Sequence, residues 1–178
     1  MGRYIELYRD TWAMMDSFMQ LFPDLGPAHP ARMDGHGSGP ILSDVLVKVI
    51  EKDREAIVKA WADEVKSSIP ALAPAIDEIE RLNRAVLEGV RLGLRGQRHP
   101  FDRDMLRREG RSLREKGLPL PEILDALALS RKNIWVHVIG KRILSTPLEI
   151  YSTLELNNRI IFLYDKVYHH LTEGYTSP

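Results

Sequence analysis

The sequence contains no cysteine. That removes disulfide frameworks, thiolate metal centres and cysteine nucleophiles together, and it agrees with a reducing compartment. It also lacks any apolar run near the ~20 residues needed to cross a bilayer. Its first residues, MGRYIELYRD, are charged where a secretory signal would be apolar. Neither sign of charge is in excess: 25 basic side chains balance 25 acidic ones, and the pI is near 7. Whole-molecule attraction to nucleic acid or to anionic lipid is therefore not expected. There is no glycine-rich phosphate loop and no nucleophile elbow, and paired carboxylates fall only on polar faces. The expectation is a soluble, cytoplasmic, non-catalytic protein with no membrane insertion. At 178 residues it reads as one domain, long enough to bury ~70% of its unfolded surface.

Sustained strand alternation is missing too, and helical spacing runs almost everywhere. Ile5, Tyr8, Trp12, Met15, Met19 and Phe22 form one stripe, which gives an amphipathic helix over about 3–22. Its mixed charges, Arg3 and Arg9 against Glu6, Asp10 and Asp16, suit packing on the domain or a partner better than a membrane surface. Residues 23–41 are rich in proline and glycine and read as a linker. His29, Asp34 and His36 lie in it without fixed geometry, so a mobile loop is a better reading than a metal site. The helical domain is expected over residues 42–178.

Ser43 is the expected N-cap of a helix to about Ser67 that turns Leu46, Ile50, Ile57, Trp61 and Val65 inward. Pro70 and Pro74 bracket a turn. The next helix carries Ile76, Ile79, Val86, Val90 and Leu94 and stops at Gly96. Asp102 caps a short helix, with Phe101 and Leu106 as a hydrophobic staple. The fifth helix runs to about Ile143. The last opens on the capping box Thr146-Pro147-Leu148-Glu149 and extends to about Thr172. In the short helix Leu106, Gly110, Leu113 and Gly117 share one side, where the glycines permit close approach of another helix. Arg103, Arg107, Arg111 and Arg114 line a neighbouring side. Interleaved acids and the lack of an aromatic platform favour a solvated face over nucleic-acid binding, with docking to an acidic partner surface next.

The fifth helix sets Arg131 among Ile123, Leu124, Leu127, Ile134, Trp135 and Val138. A charge there must be paired, since desolvation otherwise costs several kcal/mol. It meets either a carboxylate of another helix or a small anionic ligand. Arg131, Trp135 and Trp61 are the candidate ligand-binding residues. Leu129, Val136 and Ile143 repeat on the opposite side. The last helix is likewise apolar twice, through Leu156, Leu163, Val167 and Leu171 and through Ile150, Leu154, Ile161 and Tyr168. Helices apolar all round are sandwiched. A homodimer is expected, with Leu129, Val136, Ile143, Leu156 and Leu163 at its interface.

From about Ser43 to Tyr175 the chain resembles the N-terminal domain of RsbR-type regulators, the RsbT co-antagonist proteins of bacterial stress signalling. The likeness is carried by the tryptophan of IVKAWADEV, by GRSLREKGLPLPEILDALALSRKNIW and by YHHLTEGY. Related domains are fused to histidine kinases and other outputs. The resemblance implies an all-α, globin-like fold without haem, usually dimeric, that acts as an input module and passes its signal through the C-terminal helix. No cofactor is expected. The sharper rival is a haem- or small-ligand-binding globin-type sensor, for which His137, His169 and His170 are the candidate axial ligands. Their charged or edge positions read as surface or interface instead. The chain stops at Pro178, just after that helix, which fits a fragment of a larger sensor or a stand-alone relative.

Overall fold

The structure, a computed structural model, describes residues 39–140 and 147–177. The expected helix at 3–22, His29, Asp34, His36, Ile143 and the Thr146 cap lie outside them. The chain divides into Met1–Gly37 and Ser38–Pro178, and the second unit is described here.

Among the described residues there are helices and no strand, as the periodicity required. Helix α1 spans Gly39–Ser68. It begins before Ser43, so that serine lies inside the helix rather than capping it. Pro40 explains the earlier start, because a proline in the first turn lacks an N–H that would be unpaired there anyway. A 3-10 turn, Pro70–Ala75, plugs Leu72 into the core. Helix α2 follows at Ile76–Leu94, α3 at Arg103–Glu115, α4 at Leu120–Gly140 and α5 at Pro147–Thr176.

The helix ends are made by the residues the sequence put there. The Asp102 carboxylate accepts the Met105 N–H at 2.9 Å, which satisfies one orphan donor of α3. After α2, Gly96 adopts φ 87°. Its N–H reaches Gly93 O, and Gln97 N–H reaches Leu92 O. After α3, Gly117 adopts φ 73° with the same pair of bonds, from Gly117 N–H to Arg114 O and from Leu118 N–H to Leu113 O. Both are Schellman stops, which only glycine enters without strain. Gly117 is thus a turn residue and not part of a packing face, since nothing lies within 4 Å of where its Cβ would be.

Gly110 does make the expected close approach. A Cβ there would sit 2.2 Å from Leu171 O, and one at Gly174 would sit 2.1 Å from Arg107 O. The two glycines face each other across α3 and α5, and backbone meets backbone. The core around them holds Trp61, Tyr164, Ile57, Ile79, Leu106 and Ile123, all essentially inaccessible. Positions 126–130 of α4 are buried without interruption, so that helix is sandwiched. Helix α5 packs against each of α1, α2, α3 and α4. Exposed ion pairs such as Arg84–Glu55 and Arg91–Glu51 tie α2 to α1. Pairs this exposed add little to stability.

Candidate functional site

Three fully buried polar side chains meet where α2, α4 and α5 cross. The Ser130 hydroxyl donates to Asn83 Oδ1 at 2.5 Å. Since a serine has one proton, the Tyr164 hydroxyl, 2.8 Å away, must donate to Ser130. Each of the three sits at a core position of its helix: Asn83 between Ile79 and Val86, Ser130 between Leu127 and Ile134, Tyr164 between Ile160 and Val167. Burial pushes the Tyr164 phenol well above its ordinary range, against the opposing pull of its bond to Ser130 and the charge of Arg131. It therefore stays a neutral donor. Asn83 Nδ2 has no hydrogen-bond partner among the described residues. A buried network of this kind fixes one relative placement of three helices, because any slip would leave polar groups unpaired in a low dielectric.

Ser130, not Arg131, is the polar residue at the centre of the buried arc of α4. The arc runs through Ile123, Ala126, Leu127, Ser130, Asn133 and Ile134, while Arg131 is partly exposed. Weighting only large apolar side chains had centred the arc too far round, since Ala126, Ser130 and Asn133 define its other half. Asn133 donates to Glu64 at 2.8 Å and Lys132 to the same carboxylate at 2.7 Å, which joins α4 to α1.

The three expected ligand-binding residues separate into two groups. Trp61 is fully buried, and its indole N–H donates to Ala126 O at 2.7 Å. That places it in the core joint between α1 and α4. Arg131 and Trp135 are partly exposed neighbours one turn apart. The Trp135 indole N–H is buried and has no hydrogen-bond partner among the described residues. Of the expected interface positions, Leu129, Leu156 and Leu163 are buried within the single chain, whereas Val136 is 55% exposed. A separate shallow groove of about 420 Å³ lies between the end of α2 and the middle of α5. Pro100 and Leu163 line it together with Arg159, Lys166 and the 60% exposed Phe162. Lys166 rests 4.4 Å above the Phe162 ring.

The far end of α5 is clamped to α3. Arg107 holds Glu173 with two hydrogen bonds of 2.9 Å, and this partner keeps the Glu173 carboxyl below the usual carboxylate range. Arg114 donates to Ser177 O, and the Tyr175 hydroxyl donates to Leu118 O at 2.8 Å. Of the arginine stripe, Arg107 is thus paired with a carboxylate and Arg114 with a backbone carbonyl at the end of the same chain, so these two are not simply solvated. The histidines considered as haem ligands are engaged locally: His137 Nε2 lies 3.3 Å from Asp53 Oδ2, while His169 and His170 face Glu173.

These features define an all-α domain assembled around its last helix. Residues 55–177 match the family model of the RsbT co-antagonist protein rsbRD N-terminal domain, and the chain belongs to that family. The match covers more than half of the 178 residues and includes every residue of the buried node and of the α3–α5 clamp. The family is one of regulatory co-antagonist domains in stress signalling rather than of catalysts. No curated protein and no solved structure matches the chain. Among the described residues no helix is long and apolar enough to cross a membrane.

Proposed function

We propose that the chain is the non-catalytic input domain of a cytoplasmic bacterial signalling protein, of the stress-response or histidine-kinase kind. In this reading it works as a homodimer and passes a change in helix packing along α5 to an output domain, fused or separate. The observation that carries the proposal is the placement of α5, which packs on each of the other four described helices. A shift in any of them has a direct mechanical route to the residues before Pro178. The buried Asn83–Ser130–Tyr164 contact supplies the discrete arrangement that such a shift would exchange for another. The ligand we propose is a small amphipathic anion at the Arg131–Trp135 edge, where Arg131 lies one helical turn from a buried indole N–H that seeks an acceptor.

Val136 is the exposed member of the proposed dimer stripe. Sedimentation at tens of micromolar is expected to show a dimer. Val136→Glu should shift it to a monomer with an unchanged helical spectrum, because the side chain is not part of the core. A wild-type monomer, or a dimer indifferent to this substitution, removes Val136 from the interface.

A further inference from the structure

The YHHLTEGY segment near the end of α5 puts two imidazoles and a carboxylate around one point. His170 Nδ1 lies 3.5 Å and His169 Nε2 3.9 Å from the same Glu173 oxygen, Oε2. All three atoms fall within 4.8 Å of one another. The two rings stand edge to face with centroids 4.9 Å apart. An ion bound tetrahedrally at ~2.0–2.2 Å from nitrogen and oxygen ligands needs donor atoms about 3.3–3.6 Å apart, which the two contacts to Oε2 approach, so the rings have to swing in around the carboxylate. Small side-chain rotations suffice.

We propose that His169, His170 and Glu173 form a binding site for a divalent transition metal of the zinc or nickel type. Two imidazoles select such borderline ions over magnesium or calcium, which prefer oxygen. The three protein ligands come from a little over one helical turn, with Glu173 between the two imidazoles, and the remaining coordination positions fall to water. His169 is 71% exposed and gives the ion access, whereas His170, at 12%, is held in place by packing. Arg107 acts from the second layer. Its two bonds occupy the Glu173 carboxylate, so an ion has to compete for that group. Its positive charge at the same time opposes a cation, so the site is moderate in affinity by construction. Metal on Oε2 competes with the Arg107 Nε bond, and the ion therefore acts on the contact that clamps α5 to α3.

Calorimetric titration of the tag-free, chelator-treated chain with Zn2+ is expected to give one equivalent bound, and Mg2+ to give none. His169→Ala alters an exposed side chain and should weaken Zn2+ binding by about tenfold or more without changing the fold. His170→Ala should do the same where circular dichroism shows it folded. Arg107→Gln should tighten binding, an effect that a merely structural arginine would not have. Equal affinity in wild type and His169→Ala, or weaker binding in Arg107→Gln than in wild type, overturns the site.

Discussion

Gly110→Ala is expected to destabilise the domain by about 3 kcal/mol, at the upper end of the range for overpacking. On helix propensity alone the sign would be opposite, because alanine improves on glycine by roughly 1 kcal/mol inside a helix. The steric effect wins here because the added methyl would stand 2.2 Å from Leu171 O and 2.8 Å from Tyr175 N. Those are backbone atoms held by the helix's own hydrogen bonds, and they cannot rotate away as a side chain would. Gly174→Ala meets Arg107 O at 2.1 Å and should behave alike. At Gly93 the methyl would meet only the methyl groups of Leu163, which can turn aside, so a smaller loss is expected. Gly117→Ala meets no atom at all and should cost only the ~1–2 kcal/mol of a left-handed residue. Urea unfolding of the four variants separates these cases. A neutral or stabilising Gly110→Ala would mean that α3 does not lie against α5.

Trp61→Ala is expected to cost about 3–5 kcal/mol, the usual loss for emptying an aromatic site in a core. The side chain is wholly inaccessible and bridges α1 to α4 through its bond to Ala126 O. Trp61→Phe should cost much less, about 1–2 kcal/mol, since most of the apolar volume remains. The carbonyl of Ala126 has a second lone pair for its own helical bond, so losing the indole leaves no orphaned acceptor. Thermal unfolding of both variants decides whether Trp61 is structural. Full stability in Trp61→Ala, with loss of a ligand-induced shift, would return the residue to the ligand site.

Much of this fold could be read from residue spacing. Asp102, Gly96 and Pro70 act locally, and each ends or begins an element where the sequence placed it, whereas Pro74 lies inside the 3-10 turn rather than at its edge. Gly110 was legible as a small residue on an apolar face, but its partner Gly174 was not, because a pairing across 64 positions leaves no local pattern. The buried node was missed for a different reason. Ser130 lies within LALSRKNIW beside an arginine, and residue type alone makes the charged neighbour the costlier group to bury. Asn83 and Tyr164 continue apolar stripes at helical spacing, and this was the available signal. The stripe Leu129, Val136, Ile143 pointed outward from the core side, but spacing does not distinguish a face covered by the same chain from one left for a partner. The structure covers Leu129 and exposes Val136.

The most direct test of signal transfer through α5 uses the absence of cysteine, which lets one label site be placed without interference. Thr176→Cys, on an exposed position at the end of α5, would carry a spin label for distance measurement across the proposed dimer. Ser130→Ala breaks the buried node at the expected cost of about 1–3 kcal/mol, which a domain of ordinary stability survives. The expected result is one narrow distance distribution in the otherwise unaltered chain, and a shifted or broadened one when Ser130→Ala is added. The absence of dipolar coupling, or an identical distribution in both proteins, would contradict transmission from the node through α5 in a dimer.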